Sequence, residues 1–255
     1  MRLFFLIIFL ILFLPYFTNA QEVKVRIEEI LQSEIIGLKY NSLLEPGEAF
    51  KTNFDLFNSG SIGYSARVRL DILNQTELYY TGWSEEKSLW PGSSAYFEVY
   101  WFPANLTGDF QARVMIYHAN EIKELEPIEF KIVGIGKPEK NIEITDFETH
   151  ENLVEVRVKT NKELKNLVVV PSGYPYGWIF EQSKIESISR GEEKKVELKY
   201  EPTIWEPINV TMHLFTEDGK HYSSELFMME RKKPSVSFVS YFIEILRIFS
   251  IIPFF

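Results

Sequence analysis

Thr52-Asn53-Phe54-Asp55-Leu56-Phe57-Asn58-Ser59-Gly60, followed by Tyr64-Ser65-Ala66-Arg67-Val68-Arg69-Leu70-Asp71-Ile72, reads as two strands joined by a turn. Thr52, Phe54 and Leu56 recur at every second residue, and so do Tyr64, Ala66, Val68, Leu70 and Ile72. That period belongs to a strand with one buried face, and Asn58-Ser59-Gly60 has the residues of a turn. The pattern continues in both directions. Val23, Val25 and Ile27 alternate before it. After it, Trp90-Pro91-Gly92 turns into a strand-like run from Ala95 to Phe102. Gly108 opens a run that places Phe110, Ala112, Val114 and Ile116 on one face, and Ile128, Phe130 and Ile132 close the series. Short strands separated by Pro, Gly and Asn turns predict an antiparallel β-sandwich over residues 21–135.

Gly134-Ile135-Gly136-Lys137-Pro138 then interrupts the alternation, and 136–138 reads as a linker. A second series follows. Ile142 and Ile144, then Val154, Val156 and Val158, alternate against charges; Leu167 to Val170 is a short apolar run. Trp178-Ile179-Phe180, then Val196, Leu198 and Tyr200, and then Val210, Met212 and Leu214 continue it. Asp218-Gly219 signals a hairpin that returns through Tyr222 to Met228. The expected fold class is all-β: two tandem immunoglobulin-like β-sandwiches, the second over 139–230, with an N-terminal signal peptide and a C-terminal amphipathic helix.

The first half resembles a known family. Glu45-Pro46-Gly47-Glu48 and Asn53 to Gly60 look like that family's early strands. Leu89-Trp90-Pro91-Gly92-Ser93 and Gly108-Asp109-Phe110-Gln111-Ala112-Arg113-Val114 look like its later ones. The layout is similar to the cell-adhesion-related (CARDB-like) immunoglobulin-type domains of prokaryotic surface proteins, over roughly residues 21–135. The resemblance implies a non-catalytic extracellular sandwich used as a spacer or adhesive module, with no universal functional residues to carry over.

The two ends speak to location. Arg2, the apolar run Leu3 to Leu14, Pro15 and then Thr18-Asn19-Ala20 have the layout of a signal peptide over 1–20. Asn74, Asn105 and Asn209 begin Asn-X-Thr sequons, weak signals of glycosylation on an exported surface. At the other end, 231–255 opens with the basic cluster Arg231-Lys232-Lys233. At about 100° per residue, Ser237, Ser240, Glu244 and Arg247 form a thin polar stripe opposite Phe238, Tyr241, Phe242, Ile245, Leu246, Phe249 and Ile252. Such a helix either spans a membrane, lies in its interface or packs on protein, where Glu244 and Arg247 would meet a partner helix. Spanning has one defect: the basic cluster precedes the helix, on the exported side, where the positive-inside tendency would want the reverse.

Composition excludes several classes. Among the 255 residues, 27 Lys and Arg stand against 36 Asp and Glu, a net charge of −9 that argues against a general nucleic-acid binder. No cysteine is present, so disulfides, thiolate metal sites and cysteine nucleophiles are ruled out. His118, His150, His213 and His221 stand in no short metal-ligand spacing, and a metal site would need distant assembly. No G-x-S-x-G elbow, glycine-rich phosphate loop or calcium loop occurs. No cofactor and no catalytic residue are therefore expected.

The stretch Ser172-Gly173-Tyr174-Pro175-Tyr176-Gly177-Trp178 stands out, with Tyr79-Tyr80-Thr81-Gly82-Trp83 as a companion. Tyr174, Tyr176 and Trp178 are candidate contacts for a sugar or a partner, or else they cap the open end of a core. The expectation is an exported, non-catalytic envelope protein at the extracellular face of the membrane. It would act as a surface scaffold or adhesion module, with a membrane or membrane-protein partner at its C-terminal helix and surface glycans or envelope proteins elsewhere. The alternatives are a carbohydrate-binding accessory module and an accessory subunit of a membrane complex.

Overall fold

The computed structural model describes residues 29–103, 105–203 and 206–230. The segment read as signal peptide, the alternating Val23, Val25 and Ile27, and the segment read as C-terminal helix, with Phe238, Phe242, Glu244, Ile245, Arg247 and Phe249, lie outside the described residues. The described residues are all-β, with no helix among them.

The first series of strands is β1 (Ser33–Tyr40), β2 (Leu43–Leu44), β3 (Phe50–Asn58), β4 (Tyr64–Asn74), β5 (Glu77–Trp83), β6 (Lys87–Leu89), β7 (Ser94–Trp101), β8 (Gly108–His118), β9 (Glu121–Glu124) and β10 (Ile128–Ile132). They form two sheets. One has the order β1-β3-β7; the other has the order β2-β10-β8-β4-β5, with β6 on β4 and β9 on β8. The alternation of β3 and β4 explains why the sheets face each other. Phe54 and Leu56 from one sheet and Val68, Leu70 and Ile72 from the other are all buried in one core. Every second side chain is apolar, so each sheet has a face that must leave water.

The second series is β11 (Ile142–Thr149), β12 (Leu153–Thr160), β13 (Leu164–Ser172), β14 (Ile179–Phe180), β15 (Ser183–Ile188), β16 (Glu193–Glu201), β17 (Ile208–Thr216) and β18 (Tyr222–Met229). Its sheets run β11-β12-β16-β14 and β15-β13-β17-β18. Val154, Val156, Val158 and Leu198 meet Leu167, Val169, Met212 and Leu214 in a second core.

Six strands were not evident as such in the sequence: β1, β2, β5, β6, β9 and β15. None has a clean alternation. In β1, five consecutive residues from Ile36 to Tyr40 are exposed, and the strand shifts register between Ile36 and Lys39. An edge strand that buries little has little apolar period to display.

Both sheet pairs belong to one compact unit, and β13 shows how. Leu167 and Val169 lie in the second core, whereas Val168 and Val170 lie in the first, together with Phe215 from β17. The unbroken apolar run of β13 is thus the signature of a strand buried on both faces. Close backbone contact completes the joint. Gly219, at φ +67, follows β17, and a Cβ there would run into the Gly47 carbonyl and sit 2.9 Å from the Glu48 Cα. Both the left-handed backbone and the contact require glycine. Gly219→Ala is expected to cost about 1–3 kcal/mol, as overpacking and backbone strain together do. A urea titration checks this, and an unchanged midpoint would show that the joint is looser than described.

Candidate functional site

The junction of the two sheet pairs is polar at its centre. The strand β7 ends its three-stranded sheet, so alternate backbone groups along it lack a strand partner. Gln182, between β14 and β15 and 5% exposed, fills that role at Tyr100. Its Oε1 accepts from the Tyr100 N–H at 2.9 Å, and its Nε2 donates to the Tyr100 carbonyl at 2.8 Å. The same Nε2 donates to the Tyr80 hydroxyl at 2.7 Å, and the Gln182 backbone N–H donates to the Trp83 carbonyl at 2.9 Å. One side-chain amide therefore ties β5 and β7, from opposite sheets of the first pair, to the second pair. Gly82 makes room for it, because a Cβ at 82 would collide with both the Tyr80 hydroxyl and Gln182 Nε2.

Beside Gln182 lies a cluster of two cations and two anions. Lys51 from β3 and Lys184 from β15 each meet Glu98 of β7 and Glu217, which follows β17, at 2.7–3.2 Å. The Tyr100 hydroxyl donates to Glu217. Burial opposes the charge on Glu217, but hydrogen bonds from Lys184, Tyr100 and Lys51 outweigh it and hold the carboxyl at about 2. Burial and the neighbouring carboxylates push the Tyr100 hydroxyl far up, so it stays a donor. Glu98, Tyr100, Gln182 and Lys184, with Lys87 and Glu186, help to line a cleft of about 460 Å³.

A second, smaller cleft of about 190 Å³ lies where β5 approaches the loop after β13. It brings together the two aromatic stretches singled out in the sequence. Leu78, Tyr79, Tyr80 and Thr81 line it from one side; Ser172, Gly173, Tyr174 and Tyr176 line it from the other. The Tyr174 hydroxyl donates to the Thr81 carbonyl at 2.7 Å, which closes the floor. Burial raises the Tyr174 hydroxyl pKa well above that of a free phenol. Tyr176, 56% exposed, has the Arg69 guanidinium 4.0 Å from its ring centroid. Arg69 is itself 6% exposed and fixed by a two-pronged hydrogen bond to Asp71, which also accepts from Thr81. Tyr79, 44% exposed, packs its ring against the edge of Phe110 at 5.8 Å.

The expectation for Trp178 needs correction. It is 2% exposed and its ring stacks on Tyr200 at 6.0 Å, so it offers no face to a ligand. The turn that its N–H closes on the Pro175 carbonyl, at 2.9 Å, sends the indole inward. Its carbonyl accepts from Trp83 Nε1 at 3.1 Å, another tie across the junction. Tyr174 is also mostly enclosed, which leaves Tyr176 as the exposed ring of the three. Among the sequons, Asn105 and Asn209 are exposed and Asn74 is half-buried.

Two groupings were invisible to sequence spacing. Ser172 Oγ lies 2.7 Å from His213 Nε2, and the Tyr222 hydroxyl lies 2.9 Å from His213 Nδ1. Burial lowers the His213 pKa to about 4, so the ring is neutral at pH 7 and joins three strands as a hydrogen-bond relay. At the β11–β12 turn, His150 Nε2 lies 3.9 Å from Glu148 and 3.6 Å from Glu155, and these three residues could hold a metal ion. Lys195 occupies the Glu155 carboxylate at 2.7 Å. Strand pairing, with Glu148 opposite Glu155, creates this group.

No family model matches the chain, and no curated protein matches it. Several hundred solved structures do. One of them is a CARDB domain. It comes from Pyrococcus furiosus and was solved in complex with di-metal ions; it is 19% identical over 46% of this chain and 100% of its own length, with a TM-score of 0.32. It belongs to the kind of domain that the first half of the sequence resembles. A second is the alkylpurine DNA glycosylase of Pseudomonas fluorescens bound to DNA with an abasic site analog. It is 15% identical over 41% of this chain and 31% of its own, also with a TM-score of 0.32. At such scores neither likeness bears on activity or ligands.

Two outcomes follow from the junction chemistry. Gln182→Leu leaves the Tyr100 N–H and carbonyl buried without partners and should cost about 2–4 kcal/mol in urea denaturation. Glu217 is held from its ordinary 4.5 down to about 2. Its contribution to stability is therefore complete above pH 4.5 and is lost as pH falls towards 2. In acid titrations followed by thermal melts, Glu217→Gln should flatten that part of the profile and lower stability at pH 7. An unchanged acid limb would remove Glu217 from this role.

Proposed function

We propose that the protein is a non-catalytic surface module whose immunoglobulin-like sandwiches present binding loops at a fixed spacing. The observation that carries this reading is the joint itself. Gln182, the Lys51–Glu98–Lys184–Glu217 cluster and the double-faced strand β13 all restrain one sheet pair against the other. Interfaces between domains are commonly small and permit relative motion. Here the sheet pairs share a core, which suits a rigid scaffold better than a hinged one.

The ends of the sequence supply the place of action. Residues 1–20 direct export, and the amphipathic segment after Lys233 holds the chain at the outer face of the membrane, its apolar face downward and Arg231, Lys232 and Lys233 at the headgroups. Glycosylation at the exposed Asn105 and Asn209 would suit such a surface. Full-length protein is expected in the membrane fraction, and a chain ending at Lys233 in the soluble fraction. Release of the full-length chain by an alkaline carbonate wash would mark the segment as interfacial. Equal partition of both chains would remove the anchor from this reading.

A further inference from the structure

We propose that the cleft between Tyr79 and Tyr176 binds a single pyranose ring of a neutral oligosaccharide. This assignment rests on the reading of the protein as a surface module and names the ligand class for one of its contact sites.

The cleft has the chemistry of a sugar site. Sugar rings present flat C–H faces that stack on aromatic rings, and hydroxyl edges that need hydrogen-bond partners. Tyr79 and Tyr176 provide two half-exposed aromatic faces from opposite sides, one from each sheet pair. Ser172 adds polar lining between them. The volume of about 190 Å³ is below the range of about 300–1,000 Å³ typical of pockets that enclose a whole small molecule. A site of that size takes one ring of a chain that continues into solvent.

Charge argues for a neutral ligand. The lining residues Leu78, Tyr79, Tyr80, Thr81, Ser172, Gly173, Tyr174 and Tyr176 carry no formal charge. Arg69, whose guanidinium lies 4.0 Å from the Tyr176 ring centroid, is engaged by Asp71 at 2.8 and 3.0 Å. It therefore acts on Tyr176 as a fixed platform and is not free to pair with an acidic sugar.

The site is also held in place before binding. Tyr176 rests on Arg69, Tyr79 rests on Phe110, and the Tyr174 hydroxyl pins the loop to Thr81. Little side-chain freedom remains to be lost when a ligand arrives. Tyr176 and Tyr79 are half-exposed and belong to neither core cluster.

Full-length protein applied to an array of neutral hexose oligosaccharides should retain at least one of them. Calorimetric titration with the retained oligosaccharide should then show about tenfold or greater loss for Tyr79→Ala and for Tyr176→Ala. Phe at either position should keep most of the affinity, because the face is retained. A silent array would overturn the assignment, and so would binding that both Ala substitutions leave unchanged. Binding of a proline-rich peptide at the same tyrosines with the array silent would reassign the cleft to a protein partner. Membrane partition of the same variants, measured in parallel, separates the two readings. A protein that stays at the membrane but ignores the array loses only the sugar site.

Discussion

A carboxamide group closing a sheet edge is the constraint on which the arrangement depends. A strand at the end of a sheet has unpaired backbone groups that must find water or another partner. At Tyr100 of β7 the partner is the side chain of Gln182, whose oxygen and nitrogen copy the acceptor and donor of a neighbouring strand. Because Gln182 is also held to Tyr80 and Trp83, the satisfied edge and the joined sheet pairs are one structural fact. Gly82 is its counterpart, since any larger residue would fill the space the amide needs.

Around that amide the junction uses charge where a core would use methyl groups. Lys51, Lys184, Glu98 and Glu217 balance one another, and each cation meets both anions. Such a cluster gains little net stability, because desolvation offsets attraction, but removing any member leaves the remaining three with an unbalanced charge. Its effect is to define one arrangement. Apolar contacts of Val168, Val170 and Phe215 supply attraction between the halves, and the polar groups select the register in which they meet.

The tyrosine-lined cleft is a consequence of the same joint. Neither aromatic stretch forms it alone: Tyr79 and Thr81 belong to β5, and Ser172 to Tyr176 lie at the end of β13 and after it. Their meeting depends on the hydrogen bond from Tyr174 to Thr81 and on the Arg69 platform. The shape of the cleft therefore depends on the fit of the two halves.

The alternation of β3, β4, β8, β12 and β17 was legible because burial on one face imposes a period of two on the side chains themselves. The turn at Asp218-Gly219 was legible because few residues adopt a left-handed backbone without strain. The edge strands β1, β5 and β15 were not, since none of them buries a regularly alternating face. The inward path of Trp178 was hidden too, because an indole reads alike whether its loop turns towards a core or away from it. Gln182 shows the limit most clearly. In the run Glu181-Gln182-Ser183-Lys184 it is an unremarkable polar residue, and its importance comes from Tyr80, Trp83 and Tyr100, about eighty to one hundred positions away. The amino-acid sequence by itself determined the all-β class, the strands with a buried face, the absence of thiol chemistry and the two aromatic stretches. Tertiary structure alone decided which rings face water, which histidine is held neutral and how the halves meet, because those properties depend on neighbours brought close by folding and not by the chain.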